Sequence, residues 1–67
     1  MSWSYQPHQQ RVVDEKAELD SKLEKLNTFI GGTFYEGLPE AERIRLAKQA
    51  GAMKDYSDIL SERIAAF

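Results

Sequence analysis

From Tyr5 to Ile30 the chain repeats one pattern: Tyr5, Gln9, Val12, Lys16, Leu19, Leu23, Leu26 and Ile30 follow one another at alternating steps of four and three residues. An α-helix turns once every 3.6 residues, so these side chains form one stripe, the kind of seam along which long helices pack. Two of its members, Gln9 and Lys16, are polar. A second seam comes after the central glycines, through Glu42, Leu46, Gln49, Met53, Tyr56, Leu60, Ile64 and Phe67. It too has a polar member, Gln49, near its middle.

Local signals place the ends of the two helices. Ser4 or Gln6 is a candidate cap for the first, and Pro7 is tolerated in its first turn, where a backbone N–H has no partner anyway. No glycine or proline intervenes until Gly31 and Gly32, which stop the helix in the left-handed conformation common at C-termini. Phe34 and Tyr35 in the connection are available to plug the end. Pro39 stands where the first residue of the second helix belongs, and Glu40 and Glu42 complement its positive end. Gly51 interrupts that helix at roughly 1 kcal/mol relative to alanine. With Ala47, Ala50 and Ala52 nearby, the plainer reason is close approach of a neighbouring helix, and the sharper one is admission of a ligand.

The expected fold is therefore all-α, an antiparallel two-helix hairpin. Residues 1–4, including Trp3, form a flexible lead, and 5–67 form the hairpin, with helices over about 5–31 and 39–66 and a turn over about 32–38. Each helix is roughly 26 residues and about 39 Å long. Two such helices cover only one face of each other, so the hairpin is expected to assemble into a helical-bundle homo-oligomer.

Composition sharpens this expectation. A chain of 67 residues has room for one domain with a thin core, which disulfides, metals or self-association usually reinforce. There is no cysteine, which removes disulfides and suits a reducing cytoplasm. The single histidine, His8, has no neighbours at metal-ligand spacing, so neither a metal nor another cofactor is expected. Self-association is what remains. The net charge of -2 disfavours binding to polymeric nucleic acid. No apolar run approaches the roughly 20 residues of a membrane span, and the opening MSWSYQPHQQ lacks the basic and apolar regions of a signal peptide. A cytoplasmic protein is expected.

Few residues suggest catalysis. His8 has no cysteine partner, its hydroxyl neighbours Ser2 and Ser4 lie in the lead, and Gly31-Gly32 closes a helix rather than opening one as a phosphate loop would. Asp20 with Glu24 and Lys25, and Glu18 with Lys22, read as outward charges paired along a helix. The chain is not expected to be an enzyme. Binding is better supported. Lys16 puts an ammonium in a seam, where it selects a register, snorkels to the edge, or meets an anionic ligand where several seams converge. In an antiparallel hairpin His8, Gln10 and Arg11 lie near Arg63, Tyr56 and the C-terminus. Guanidiniums grip phosphate bidentately and aromatic rings stack on bases. The plainer reading is ion pairing of Arg11 with Glu15 and of Arg63 with the terminal carboxylate, pairs worth little on a surface. Tyr56, in the seam, is core by default, although its hydroxyl needs a partner if buried. Met53 reads as core filler.

The stretches HQQRVVDEKAELDSKLEKLNTFI and QAGAMKDYSDILSERIAAF, with Arg11, Lys16, Gln49, Tyr56 and Arg63 as their distinctive polar members, resemble a family of small helical phage and prophage proteins. These are crAss-like-phage-related proteins grouped with the hairpin domain of cyclic-oligonucleotide sponges. The resemblance covers nearly all of 8–67. It implies a hairpin that assembles into a higher oligomer, with a hexamer favoured over a dimer or tetramer. It also implies a sponge acting in the cytoplasm of an infected bacterium. Such a protein counters CBASS or Thoeris defence by sequestering, without cleavage, a cyclic di- or trinucleotide or a cyclised ADP-ribose in pockets between protomers. A stacking aromatic and a lysine are implied at the site, with Tyr5 or Tyr56 and Lys16 or Lys22 the closest here. The candidate ligand-binding set is Arg11, Lys16, Tyr56, Arg63, Tyr5, His8 and Gln49. This chain has little beyond the hairpin, which puts in doubt any site that longer members build from added strands or tails. The alternative is a small helical oligomer that binds a host or phage protein through Trp3, Phe34 and Tyr35. A nucleic-acid accessory factor is a weaker third reading.

Overall fold

The computed structural model describes residues 5–67, whose regular structure is all helical: α1 spans Pro7–Ile30, α2 Thr33–Glu36 and α3 Glu40–Ala65. The lead expected over 1–4, with Trp3 and the candidate cap Ser4, lies outside the described residues. At the start of α1 the Gln6 backbone N–H donates to the Gln9 side-chain oxygen at 2.9 Å, and the Gln6 carbonyl accepts from Gln10 N–H at 2.9 Å. Pro7 occupies the first helical position, where its missing N–H leaves nothing unpaired.

The end of α1 differs from expectation. Gly31 stays right-handed, with φ -76° and ψ -5°, and no glycine among the described residues has positive φ. The next residues supply the reason. Gly32 is extended, with φ -94° and ψ 168°, and it leads straight into the single turn of α2, so no left-handed reversal is needed. A one-turn helix therefore sits where only a turn was expected. Tyr35 is the aromatic that plugs this end: it is half-buried, its hydroxyl donates to the Arg43 carbonyl at 2.8 Å, and its ring stands edge-on to Phe29 with centroids 6.4 Å apart. Arg43 Nε–H in turn donates to the Leu38 carbonyl at 3.2 Å. Phe34 also sets its ring against Phe29, tilted and with centroids 6.0 Å apart, but its other side faces water and it is 75% exposed. Pro39 stands one residue before α3, its carbonyl accepting from Glu42 and Arg43 N–H.

α1 and α3 pack along a narrow seam. Tyr5, just before α1, meets Phe67, just after α3, edge-on at 5.6 Å, and Lys16 of α1 reaches Ser57 of α3 at 3.2 Å. On α1 the inward positions Gln9, Val12, Lys16, Leu19, Leu23, Leu26 and Ile30 are all buried or half-buried, as the first pattern requires. On α3 the seam is not the one expected. It runs through Arg43, Leu46, Ala50, Met53, Ser57, Leu60 and Ile64, all buried or half-buried, while Gln49 and Tyr56 are exposed. These positions alternate three and four without a break. The expected line needed two successive steps of four around Leu60, and moving one residue along a helix turns a side chain by about 100°. The physical preference is clear. Ala50 and Ser57 are small enough to let α1 approach, whereas a buried Tyr56 would have to satisfy its hydroxyl. Tyr56 instead stays 42% exposed.

Gly51 also departs from expectation. A Cβ built there would meet nothing within 4 Å, so α1 is not the neighbour that explains this glycine. The whole unit is a rod of 53 × 16 × 14 Å. Among the described residues only Val12, Ser57 and Leu60 are buried, and this thin core leaves most of the α3 surface without a partner.

Candidate functional site

The seam carries one polar cluster. Lys16 Nζ donates to Asp20 Oδ2, one turn on, at 2.6 Å and to Ser57 Oγ at 3.2 Å. Ser57 in turn donates to Asp20 Oδ1 at 2.5 Å. This triangle ties α1 to α3 and closes the Lys16 charge within one chain. No buried side-chain nitrogen or oxygen among the described residues lacks a partner. Asp20 and Ser57 are the members that sequence reasoning missed: the pattern presents Asp20 as an outward charge and leaves Ser57 out of the seam. The signal was present for Ser57, because counting back three from Leu60 in strict alternation lands on it. For Asp20 there was none, since it occupies the seam's edge, beside Lys16, rather than the seam itself.

The Lys16 ammonium, and after it the Ser57 hydroxyl, hold the Asp20 carboxyl below its ordinary value of 3.8. A carboxyl lowered in the folded state binds fewer protons there than in the unfolded chain. Its contribution is complete above the unfolded pKa and is lost as pH falls through the folded one. The stability difference between the native chain and Asp20→Asn should therefore be constant from neutral pH down to about 5 and shrink at more acid pH. Urea unfolding followed by circular dichroism at several pH values checks this. A difference unchanged into strong acid would mean the triangle contributes nothing through charge.

The remaining predicted residues fall on the outside. Arg11, Arg63, His8, Lys22 and Gln49 are exposed. The ion pairs Arg11–Glu15 and Arg63 with the terminal carboxylate do not form. Among the described residues the pairs are Lys16–Asp20, Glu42–Arg45 and Lys54–Asp58. Gln49, Tyr56 and Arg63 recur every seven residues, and so lie along one flank of α3 at intervals of about 10.5 Å. Among the described residues the Gln49 amide reaches only the Met53 sulfur, at 3.9 Å. Tyr5 is 43% exposed despite its contact with Phe67. That contact places the start of α1 and the end of α3 together, so Arg11, His8 and Arg63 share one end of the rod.

The hollows of the single chain lie elsewhere. One open groove of about 520 Å³ is lined by Asp20, Leu23, Glu24, Asn27 and Thr28, and its charged groups are carboxylates that repel an anion. A neighbouring groove is lined by Ser21, Glu24, Lys25 and Thr28. Neither brings a guanidinium together with an aromatic ring. Among the described residues no group of three or more histidines and carboxylates is placed to hold a metal ion, and no helix is long and apolar enough to cross a membrane.

The sequence model of one protein family, Sequestin, matches residues 6–66. The chain belongs to the Sequestin family. The match takes in α1, α2 and α3 whole, so the family relation concerns this complete helical unit, including the Lys16–Asp20–Ser57 triangle and both exposed arginines. No curated protein and no solved structure matches the chain.

Proposed function

We propose that this Sequestin-family chain is a phage-encoded sponge: α1 and α3 form a hairpin that assembles into a closed homo-oligomer, with a hexamer favoured over a dimer or tetramer. In the cytoplasm of an infected bacterium it holds a cyclic di- or trinucleotide, or a cyclised ADP-ribose, and thereby blunts CBASS- or Thoeris-type signalling. The family name supports a sequestering role. The relationship to crAss-like-phage proteins belongs to this proposal as well.

The observation that carries the reading is the pair of exposed guanidiniums, Arg11 and Arg63, at one end of the rod with no described carboxylate in either grip. Guanidinium is a planar fork matched to phosphate oxygens. Tyr56 lies on the same flank as Arg63 and offers its ring to a base, and His8 adds a second ring near Arg11. A cyclic dinucleotide carries two phosphates and two bases, and a symmetric assembly presents each cation and each ring more than once. That concentrates positive charge locally although each chain has a net charge of -2. Tyr5 borders this set, while Gln49 lies about 21 Å along α3 from Arg63. Lys16, closed off by Asp20 and Ser57, supports the site by fixing the register of the two helices.

Sequestration requires tight binding and no chemistry, so the messenger should leave the protein as it entered. Incubation with a stoichiometric messenger, followed by heat denaturation and chromatography of the supernatant, should recover it intact and in full. Recovery of a linear or hydrolysed product would replace the sponge with an enzyme. A second reading, an oligomeric interaction protein for a host or phage partner, is favoured by the 75% exposed ring of Phe34. Under that reading Phe34→Ala abolishes partner capture and no messenger is held.

A further inference from the structure

We infer that Phe67 is a positioning residue for the cation site: clasped to Tyr5, it holds the Arg11 and Arg63 guanidiniums abreast. The inference rests on the anion site of the proposed function and deepens it. The connection through α2 ties α1 to α3 at one end of the rod only. At the other end no covalent link sets the distance between the helices, so side chains must do it.

Two contacts fix the levels at that end. Tyr5 meets Phe67 with ring centroids 5.6 Å apart, and Lys16 meets Ser57 at 3.2 Å. From 5 to 16 on one side and from 67 to 57 on the other, the helices pass each other nearly residue for residue. Arg11 stands about 9 Å along the axis from Tyr5 and Arg63 about 6 Å from Phe67, so the two are level to within about 3 Å. Each directly precedes an inward residue, Val12 or Ile64. In an antiparallel pair that equal turn puts both arginines on one side.

Arg63 lies in the last turn of α3, the part of a helix that frays first. The Ala66 N–H closes this turn on the Glu62 and Arg63 carbonyls, and the Phe67 N–H donates to the Ile64 carbonyl at 3.2 Å. The Phe67 ring then carries the turn across to Tyr5, edge-on, a favoured geometry for two aromatic rings. Two guanidiniums held abreast repel each other, and an unclasped end would splay until they part. The clasp opposes that splaying, and an anion with two phosphoryl groups relieves it. The two rings are 43% and 44% exposed, too open to water to belong to the core, so they govern the end they close rather than the fold.

Titration with inorganic pyrophosphate at low salt, read from the Arg11 and Arg63 Nε–H resonances, tests this without any messenger. Phe67→Ala should weaken pyrophosphate binding about three- to tenfold and speed amide exchange over 62–66, with the urea midpoint nearly unchanged. Phe67→Tyr, which keeps the ring, should restore the native affinity. In an Arg63→Ala background, Phe67→Ala should cost less than about twofold, because the residue it positions is gone. Native affinity in Phe67→Ala overturns the positioning role, and so does an equal loss with or without Arg63. A native protein that ignores pyrophosphate overturns the anion site itself, an outcome distinct from either.

Discussion

Replacing Leu60 by alanine lowers the unfolding free energy of this chain by about 3 kcal/mol. Leu60 is the one large side chain fully out of water among the described residues, at 0% exposure, and it lies in an unbroken seam with Ser57 and Ile64. Removing its branched end forfeits the transfer energy of the lost carbons and leaves a void that the two packed helices cannot fully close. For a domain of this size total stability is expected at roughly 3–10 kcal/mol, so the variant sits near the edge of folding. With a urea dependence of about 1 kcal/mol per molar, the midpoint should move down by about 3 M. Phe34→Ala, at a ring 75% exposed, should change stability by less than about 1 kcal/mol. Equal effects of the two variants would mean that the α1–α3 seam is not the core.

Removing Arg11 and Arg63 together weakens messenger binding on the order of a hundredfold or more, with helicity retained. A hydrogen bond to a charged partner contributes about 1.5–3 kcal/mol, and each 1.4 kcal/mol is a factor of ten in affinity. One guanidinium per copy therefore accounts for about tenfold or more. Both side chains are exposed and form no ion pair with a described carboxylate, so their loss strands no partner in the fold. Lys16→Ala behaves differently. It leaves Asp20 and Ser57 without their shared donor, and its first effect is on stability. Isothermal titration with each purified variant separates the cases. Undiminished affinity in the double arginine variant would remove both residues from the site.

The helical seams explain how far the sequence could be read. The first pattern is legible because its apolar members are large and its polar ones few, so the stripe through Val12, Leu19, Leu23 and Leu26 admits only one placement. The second differs from its hydropathy pattern by one residue at three points: Arg43 stands for Glu42 near its start, and Ala50 and Ser57 stand for Gln49 and Tyr56 farther along. Its true members there, Ala50 and Ser57, are small and carry little hydrophobic signal, while Tyr56 beside them carries a strong one. Burial at that position is decided by close approach of α1 and by the hydroxyl, neither of which registers in hydropathy. The triangle is half legible. Lys16 stands out as a cation in an apolar line, yet its partner Asp20 looks like any other surface acid until a residue 37 positions away meets it. The backbone at Gly31 is hidden for a related reason: two glycines signal a stop, but whether the chain reverses there depends on the turn of helix beyond them.

The exposed flank of α3 emerges from the same one-residue displacement. Gln49, Tyr56 and Arg63 stand out in the sequence as unusual polar residues near a seam, and they are regularly spaced members of a face that α1 leaves uncovered. Exposure makes Arg63, at the end shared with Arg11, available to an anion.

Native mass spectrometry of the purified protein with a panel of cyclic dinucleotides, cyclic trinucleotides and cyclised ADP-ribose compounds tests the central claim most directly. The predicted result is a closed oligomer that carries an integral number of copies of one compound at its unaltered mass. An oligomer that stays empty across the panel at micromolar concentrations, or one that releases the compound with a changed mass, would contradict it.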